Sequence, residues 1–510
     1  KMFYLPGDAK TVASEMTRLA AGKRHVVYVQ WFLSTSDPEQ LLPFLLQRYG
    51  KLTDDHTFRG YREREYAIPA GSTFELVQPR QIQPVDFGGL FQLDAAGYGP
   101  SIEGDSRLAE SLARPEAVSG QKLMLALRWR LLKPAGKDYK VSAYLTDGRD
   151  HLAGQVDLTL QRGQATTQKW HAGDEATNYY VMQTMGGLMP GTYQLHLAVY
   201  PAGGVERLSV LDAAGAPQGG NAVLGKVQVL PPRGPVALAS LGIPHSLRQT
   251  PGASVQLAGY GLPKTDFLQG DSLPLTLFWQ VGAALPANPP VAIALEPVQA
   301  EGGGGAWTWS GQPSFPVSQW QPGWALRGWY EPALPADLAP GSYQLLAGLG
   351  QPTTRLATIQ IQARQRSFAA PRPQHPVTAS LGQSVELLGY DLDRPEYKPG
   401  DTVHLTLYWR AAAPVATSYT VFAHVLDGTR HLAAQRDAIP VQGTMPTVAW
   451  APGQVVTDEY DLPLPRSLPG GAYQLETGMY RAETGQRLAA RSTQLNVIDN
   501  GILLGPLVVR

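Results

Sequence analysis

The sequence contains no cysteine among its 510 residues. Disulfide bonds, cysteine-ligated metals and thiol nucleophiles are therefore excluded. An excess of charge is also absent, because 42 basic residues balance 42 acidic residues. A chain whose opposite charges balance and intermingle does not attract the phosphate backbone strongly. We therefore expect no nucleic acid among its partners.

Long apolar runs are missing as well. No segment approaches the roughly 18 consecutive apolar residues of a membrane-spanning helix. The chain begins at Lys1 and shows no signal peptide, which predicts that an upstream segment has been removed. We expect contact with a membrane only through such a segment. Glycine (54 residues) and proline (43 residues) are abundant but aperiodic, as in chains of many short strands and turns.

An internal repeat runs through most of the chain. A glycine is followed by a tryptophan nine residues later, a second tryptophan 41 residues further on, and a tyrosine 23 residues after that. Offsets of 150 and 130 residues relate the three copies at all four of these anchor positions, which predicts three copies of one module. The anchors are Gly120, Trp129, Trp170 and Tyr193; Gly270, Trp279, Trp320 and Tyr343; and Gly400, Trp409, Trp450 and Tyr473.

The segments around the anchors predict strands. GQKLMLALRW, GDSLPLTLFW and GDTVHLTLYW alternate apolar residues after a glycine turn, which is the period of a half-buried strand. Each copy has the size and turn spacing of an immunoglobulin-like sandwich. We expect the tryptophans to fill the space between two sheets and each tyrosine to form a tyrosine corner. The predicted modules 1, 2 and 3 span residues 84–231, 252–363 and 376–510.

Residues 1–80 follow a different pattern. Apolar residues between positions 12 and 19 have helical spacing, and His25–Leu33 is a nearly continuous apolar run, typical of a buried parallel strand. Asp37 and Pro38 suit the N-cap and first position of a second helix, and FRGYREREYAIP predicts another strand. Two strands and two helices cannot close a doubly covered sheet. We interpret this segment as the tail of a larger α/β domain or as a piece that docks elsewhere.

The predicted fold class is therefore mainly β, with three tandem immunoglobulin-like β-sandwich repeats preceded by a small, incomplete α/β segment. Proline-rich connections, LPPRGPVALASLGIPHSLRQTPG and FAAPRPQHPV, separate the repeats. Proline at this density favours stiff, extended linkers.

Two parts of the chain resemble a known family. The stretch RLAAGKRHVVYVQWFLSTSDPEQLLPFLLQRYGKLTDDHTFRGYREREYAIP resembles the soluble region after the last membrane span in some bacterial membrane glycosyltransferases of the protein-mannosyltransferase superfamily. In module 3, GYDLDRPEYKPGDTVHLTLYWRA and YTVFAHVLDGTRHLAAQRDAIPVQG are similar to modules of the same kind of protein. The resemblance implies an extracytoplasmic location on a bacterial cell surface. It implies no catalytic residue here, because the catalytic acidic residues of that superfamily lie in loops of the membrane portion.

Motifs for catalysis or metal binding are incomplete. GNAVLGKV has the spacing of a phosphate loop up to its lysine, but Val227 stands where Mg²⁺ coordination requires serine or threonine. Asp391, Asp393 and Asp401 lack the spacing of a Ca²⁺ loop, and we interpret them as solvated turn carboxylates. We predict no cofactor, no metal and no catalytic residue in this chain.

One feature departs from the repeat. Module 2 holds six of the eleven tryptophans, and four of these are not anchors: Trp307, Trp309, Trp324 and Trp329. At the fixed offsets, three of them replace mainly polar residues of the sister modules; Trp307, for example, replaces Asp157 and Asp437. This predicts an exposed aromatic patch. Trp307 and Trp309 would share one face of a strand, as a platform for sugar rings. The alternative is that the four rings bury an inter-domain contact.

Two functions therefore remain open. The first is a non-catalytic extracytoplasmic region of a membrane glycosyltransferase-like protein, acting as spacer, docking element and weak carbohydrate-binding array. The second is a secreted structural protein, such as a surface-layer, adhesin or filament subunit, whose partner is a second copy or another surface protein. Many membrane spans in the upstream gene sequence would favour the first, and a lone signal peptide the second.

Overall fold

The computed structural model describes residues 9–31, 41–76, 78–100, 115–162, 165–248, 252–298, 305–482 and 484–510. The fold is mainly β, as predicted, with sandwich-like antiparallel sheets. Two compact units are present. The first comprises Lys1–Gly259, Leu277–Asn288 and Pro313–Gly328, and the second comprises Tyr260–Thr276, Pro289–Gln312 and Trp329–Arg510. The predicted helix start at Asp37 and Pro38 lies outside the described residues.

The N-terminal segment contains two helices and a small sheet. Its elements are α1 (Ala9–Ala20), β1 (His25–Trp31), α2 (Leu41–Tyr49), β2 (Lys51–Phe58) and β3 (Tyr61–Ala67). The strand order is β1-β3-β2, and both pairings are antiparallel. The prediction of a buried parallel strand is therefore wrong, because Val27 and Val29 on β1 are 55% and 42% exposed.

A tight turn explains the second difference in this segment. FRGYREREYAIP is not one strand, since Phe58 ends β2 and Tyr61 begins β3. Gly60 lies between them with a φ of 97°, in the left-handed region that a residue without a Cβ adopts at little cost.

The N-terminal segment docks on module 1, in agreement with the second of the two interpretations above. Phe44 and Leu45 of α2 share one buried apolar cluster with Met124 and Tyr179 of module 1. The rings of Phe44 and Tyr179 lie 4.7 Å apart, centroid to centroid. The apolar face that the small sheet and its helices cannot bury among themselves is therefore buried against a neighbouring sheet.

Module 1 forms two five-stranded sheets, β12-β7-β5-β4-β14 and β6-β15-β13-β8-β9. Its strands are β4 (Arg80–Phe87), β5 (Phe91–Pro100), β6 (Glu116–Val118), β7 (Lys122–Leu131), β8 (Tyr139–Thr146), β9 (Leu152–Thr159), β10 (Gln161–Arg162), β11 (Ala165–Thr166), β12 (Glu175–Gln183), β13 (Gly191–Pro201), β14 (Val210–Leu211) and β15 (Ala222–Leu230).

Module 2 contributes the sheets β16-β17-β19-β22 and β18-β24-β23-β20-β21. Its strands are β16 (His245–Ser246), β17 (Val255–Gly261), β18 (Asp266–Leu268), β19 (Leu275–Val281), β20 (Val291–Pro297), β21 (Trp307–Gly311), β22 (Ala325–Tyr330), β23 (Gly341–Leu349) and β24 (Thr354–Gln362).

Module 3 has the sheets β31-β28-β26-β25-β33 and β27-β35-β32-β29-β30, with β34 paired to β35. Its strands are β25 (His375–Leu381), β26 (Val385–Leu392), β27 (Glu396–Tyr397), β28 (Thr402–Ala411), β29 (Thr420–Leu426), β30 (Leu432–Ala438), β31 (Val455–Pro463), β32 (Gly471–Tyr480), β33 (Ala490–Ser492), β34 (Val497–Ile498) and β35 (Gly501–Val509).

The three modules share one strand order. The second sheets run β6-β15-β13-β8-β9, β18-β24-β23-β20-β21 and β27-β35-β32-β29-β30, so corresponding strands follow in the same sequence. In each, the first-named strand joins its neighbour in parallel. This common topology confirms the predicted repeat.

The anchor tryptophans lie where the repeat predicts. Trp129, Trp279 and Trp409 are on β7, β19 and β28, inner strands of the first sheets, and are 0%, 1% and 0% exposed. Each second tryptophan follows a 3₁₀ helix and donates its indole N–H to the carbonyl five residues earlier, at 2.9 to 3.1 Å. The 3₁₀ helices are Thr167–Lys169, Val317–Gln319 and Thr447–Ala449, and a fourth, Leu238–Leu241, lies in the linker after module 1.

The predicted tyrosine corners are present in all three modules. The hydroxyls of Tyr193, Tyr343 and Tyr473 donate to the carbonyl four residues upstream at 2.9, 2.8 and 2.8 Å. Each ring is almost fully buried, so the hydroxyl has little access to water as an alternative partner.

We expect Tyr343→Phe to destabilise module 2 by about 1 to 3 kcal/mol, because the Ala339 carbonyl loses its hydrogen bond in a site that water scarcely reaches. Native-state hydrogen exchange of β23 amides in the full chain measures the loss. Tyr473→Phe is the matched variant and should act on β32 alone. Unchanged exchange in both variants would contradict the corner's role in stability.

Candidate functional site

Strand β21 carries Trp307 and Trp309 at the edge of a sheet. It pairs with β20, where Trp307 lies opposite Leu295 and Trp309 opposite Ile293. Directly opposed residues of antiparallel strands project from the same face. Leu295 and Ile293 are fully buried and both tryptophans are half-buried. The two rings therefore extend the apolar face of the sheet to its edge.

The pairing register of β21 differs from the one that the fixed offset of 150 residues implies. Leu145, Leu295 and Val425 are equivalent, because they pair with Leu195, Leu345 and Leu475 on the next strand. On their other side they pair with Gly154 of β9, Trp307 of β21 and Ala434 of β30, respectively.

The equivalence of Trp307 with Asp157 and Asp437, assumed from the fixed offset, is therefore wrong by three residues. The connection before β21 runs from residue 298 to 306, whereas the sister connections are 147–151 and 427–431. The longer connection moves the register of the strand that follows it.

Trp324 and Trp329 have other surroundings. Trp324 is 7% exposed, so the predicted exposure of this residue is wrong. Its carbonyl accepts hydrogen bonds from the Val281 N–H at 2.9 Å and the Gln280 side-chain amide at 3.3 Å. Trp324 belongs to the first compact unit, whereas Trp307, Trp309 and Trp329 belong to the second. Trp329 is half-buried on β22.

The remaining sequence motifs have structural roles. Most of GNAVLGKV lies in β15, which pairs with β13 and β6, so it forms no phosphate loop. Asp393 accepts hydrogen bonds from the Tyr397 hydroxyl at 2.6 Å and the His404 N–H at 3.1 Å. Within the described ranges, no group of three His, Asp or Glu side chains could hold a metal ion. No helix in those ranges is long and apolar enough to cross a bilayer.

In the first compact unit, Arg327 of β22 binds module 1 and the linker that follows it. Its Nε donates to the Gly186 carbonyl at 2.8 Å, its Nη2 to the Leu241 carbonyl, and its backbone N–H to Gly187 at 2.6 Å. The guanidinium lies 5.2 Å from the ring centroid of Phe278. Burial lowers the pKa of Arg327 to about 10, so the group remains charged at neutral pH.

In the second compact unit, Arg364 joins modules 2 and 3. Its side chain is 6% exposed and pairs with Asp271 of module 2. Its Nε donates to the Gln269 carbonyl and its Nη1 to the Thr444 carbonyl of module 3, both at 2.8 Å. One planar group thus binds both modules.

Arg366 adds a second bridge at the same junction. It donates to the Gln269 side chain at 2.6 Å, to the Ala336 carbonyl at 2.7 Å and to the Gln454 side chain of module 3 at 3.1 Å. The anchor Gly270 lies against Ala449, where an added Cβ would overlap the backbone of module 3. Gly270, which the sequence pattern marks as a turn residue, therefore also permits the close approach of modules 2 and 3.

Sequence reasoning did not find these junctions. The available signal was the pair of arginines in ARQRSF, directly after the last strand of module 2. Their partners are mainly backbone carbonyls, and because every residue has one, the sequence does not show which carbonyl an arginine will bind.

Comparisons with known proteins find similar solved structures but no related sequence. No protein-family model and no curated protein matches the sequence. A solved structure of the C-terminal domain of wzt is similar to 34% of this chain over 98% of its own length, with 6% identity and a TM-score of 0.22. The native conformation of E. coli alpha-2-macroglobulin matches 91% of this chain over 33% of its own, with 12% identity and a TM-score of 0.16. At these scores neither likeness identifies a function.

Proposed function

We propose that this chain is the non-catalytic, extracytoplasmic region of a membrane glycosyltransferase-like protein, in which the β-sandwich modules act as stiff spacers and docking elements. The observation that supports a spacer is the arginine bridging at the junctions. Arg327 and Arg364 each bind groups on both sides of a junction through buried or half-buried guanidinium groups.

The energetics favour stiffness. A hydrogen bond from a charged donor contributes about 1.5 to 3 kcal/mol, and a buried guanidinium that lost its partners would remain desolvated at a further cost. Bending at the junction of modules 2 and 3 would separate Gln269 from Thr444, so Arg364 could not keep its bonds to both. The proline-rich linkers reduce the number of alternative conformations further.

The link to a membrane glycosyltransferase rests on the sequence resemblance of residues 18–69 and of module 3. The rival is a secreted structural protein with self-assembly or a surface protein as partner. The gene sequence upstream of Lys1 separates the two through its number of membrane spans. Reproducible sugar transfer by this chain, abolished by one substitution in it, would contradict the non-catalytic assignment.

Stiffness can be measured by spin-label distances, since the chain has no cysteine of its own. Thr358 on β24 and Thr457 on β31 are exposed, so the pair Thr358→Cys and Thr457→Cys reports across the junction of modules 2 and 3. We expect one narrow distance distribution, which Arg366→Ala broadens. A broad distribution in the parent pair would overturn the spacer proposal.

A further inference from the structure

The second sheets of the three modules share one irregularity. The pairing register shifts by one residue opposite Leu195–His196 on β13, Leu345–Leu346 on β23 and Leu475–Glu476 on β32. The extra residue of each β-bulge therefore lies on the neighbouring strand, at Leu224 of β15, Leu356 of β24 and Leu504 of β35. Bulges bend a strand and re-aim its side chains, and they are frequent beside binding sites. The residues around this part of the sheet differ sharply between the modules.

In module 1 a cluster of polar and aromatic side chains lies on β8, β9 and β13, that is, on β13 itself and on the strands on the other side of it from the bulge. The Tyr200 hydroxyl donates to Asp157 at 3.0 Å, and the Gln155 amide donates to the other Asp157 oxygen at 2.8 Å. The Arg207 guanidinium lies 5.8 Å from the Tyr144 ring centroid. Asp157 and Arg207 are exposed and Tyr200 is half-exposed, so a ligand in solution can reach all three.

Module 3 repeats the arrangement 280 residues later, at Tyr480, Asp437 and Arg487. The ring of Tyr480 lies 6.4 Å from that of Phe422, centroid to centroid, and Phe422 is the residue that pairs with Asp437 across β29 and β30. His424 bridges Asp437 and the buried Glu476 at 3.2 and 3.3 Å. Arg487 lies 3.4 Å from Glu476 and 4.3 Å from the Phe422 ring centroid. The same three residue types thus occupy equivalent positions in two modules.

Module 2 provides an internal comparison. Gly350 stands where the sisters have their tyrosine. By register Ser310 stands where they have the aspartate, since Ser310 opposes Ala292 as Asp157 opposes Ser142. Module 2 nevertheless keeps the bulge and the strand order. The cluster is therefore not required for the fold.

Polar groups at half-buried positions lose hydration on folding, and their interactions only offset that cost. Tyr200 illustrates this, because burial and the hydrogen bond to Asp157 raise its pKa to about 12. Burial and the nearby Asp437 carboxylate raise the pKa of Tyr480 to about 12 as well. Retention of such a cluster in two modules, when the third folds without it, indicates a role in binding.

The chemistry of the cluster selects the ligand. Each site offers a carboxylate acceptor, a guanidinium donor and the rim of an aromatic ring. Asp157 and Arg207 have opposite charges in module 1. In module 3 the carboxylates of Asp437 and Glu476 are matched by Arg487 and Arg430, which both lie near Glu476. Neither site therefore has an excess of charge for a strongly ionic ligand. A sugar suits this set, because its hydroxyls donate and accept at once and its C–H faces pack on aromatic rings.

We propose that the Tyr–Asp–Arg clusters of modules 1 and 3, at Tyr200, Asp157 and Arg207 and at Tyr480, Asp437 and Arg487, are two binding sites for neutral oligosaccharides. These sites are separate from the tryptophans of module 2. They also do not depend on stiff junctions, so this inference and the spacer proposal fail separately.

The test uses the full chain and three neutral probes, mannotetraose, maltotetraose and cellotetraose, in saturation-transfer NMR and calorimetric titration. We expect weak binding of at least one probe at two sites, because association costs offset the few contacts of one small sugar. Asp157→Ala should weaken binding at one site and Asp437→Ala at the other, each by about tenfold or more, since each removes a charged hydrogen-bond partner.

Control variants separate a loss of binding from a loss of folding. Ser310→Ala changes the equivalent position of module 2 and should leave binding unchanged. Tyr200→Phe and Tyr480→Phe keep the ring but remove the hydroxyl, and they serve if an aspartate variant unfolds. Absence of binding by all three probes, or an affinity that both aspartate substitutions together leave unchanged, would overturn the proposal. A preference for anionic polygalacturonate over the neutral probes would also overturn it.

Discussion

Replacement of Trp409 by alanine is expected to destabilise module 3 by about 3 to 5 kcal/mol. The side chain is 0% exposed and lies on β28, between β26 and β31, so the substitution leaves a cavity that these strands cannot fill without moving. Hydrogen exchange of β28 and β31 amides in the full chain reports this loss without assuming that all modules unfold together.

Trp307→Ala is the control for the Trp409 experiment. Trp307 is half-buried at the sheet edge, so the same change in side chain should cost clearly less. Trp129→Ala should reproduce the large effect in module 1, because Trp129 is also 0% exposed. Equal losses for Trp409 and Trp307 would contradict the structural distinction between anchor and edge tryptophans.

The anchors could be predicted because their environment depends on short-range rules. A strand of period two with a tryptophan at a fixed place directs that ring to the inner face, and three copies of the pattern remove accidental matches. The tyrosine corner is equally local, since Tyr343 reaches a carbonyl only four residues away. Features of this kind are specified within a few consecutive residues.

The surroundings of the four additional tryptophans of module 2 could not be predicted in the same way. The prediction of an exposed patch assumed that the offset of 150 residues holds through every strand. More residues separate β20 from β21 than separate β8 from β9, and this difference shifts the register of β21. Strand register depends on turn length, which an offset measured at distant anchors does not record. Trp324 shows a second limit, because polar residues in sister modules do not ensure exposure at that position.

The junctions and the Tyr–Asp–Arg clusters were missed for a related reason. Both are formed by residues far apart in the chain, such as Arg364 with Gln269 and Thr444. Tyr200 and Asp157 are likewise 43 residues apart and meet only because β9, β8 and β13 adjoin in one sheet. Isolated arginines and aspartates are common on protein surfaces, so nothing in the sequence distinguishes these from the others.

Substitution of Arg364 by methionine is expected to destabilise the junction of modules 2 and 3 by about 3 kcal/mol. Methionine keeps the apolar stem but removes the charge, which leaves Asp271 without its buried partner, and breaking such a pair costs about 3 to 5 kcal/mol. The lower end applies because Asp271 keeps Lys264 at 3.1 Å and the Leu268 N–H at 3.0 Å. Hydrogen exchange of amides near Gln269 and Thr444, together with calorimetry, measures the change.

A double-mutant cycle with Asp271→Asn isolates the interaction itself. If the ion pair contributes to the junction, the double variant loses less stability than the two single variants summed, because each single change already removes the same interaction. Arg355→Met, at an exposed site on β24, is the control and should change stability by no more than about 0.5 kcal/mol. Strict additivity of Arg364→Met and Asp271→Asn would show that the arginine acts only through its bonds to backbone carbonyls. An effect of Arg364→Met as small as that of Arg355→Met would remove the energetic basis for a stiff junction.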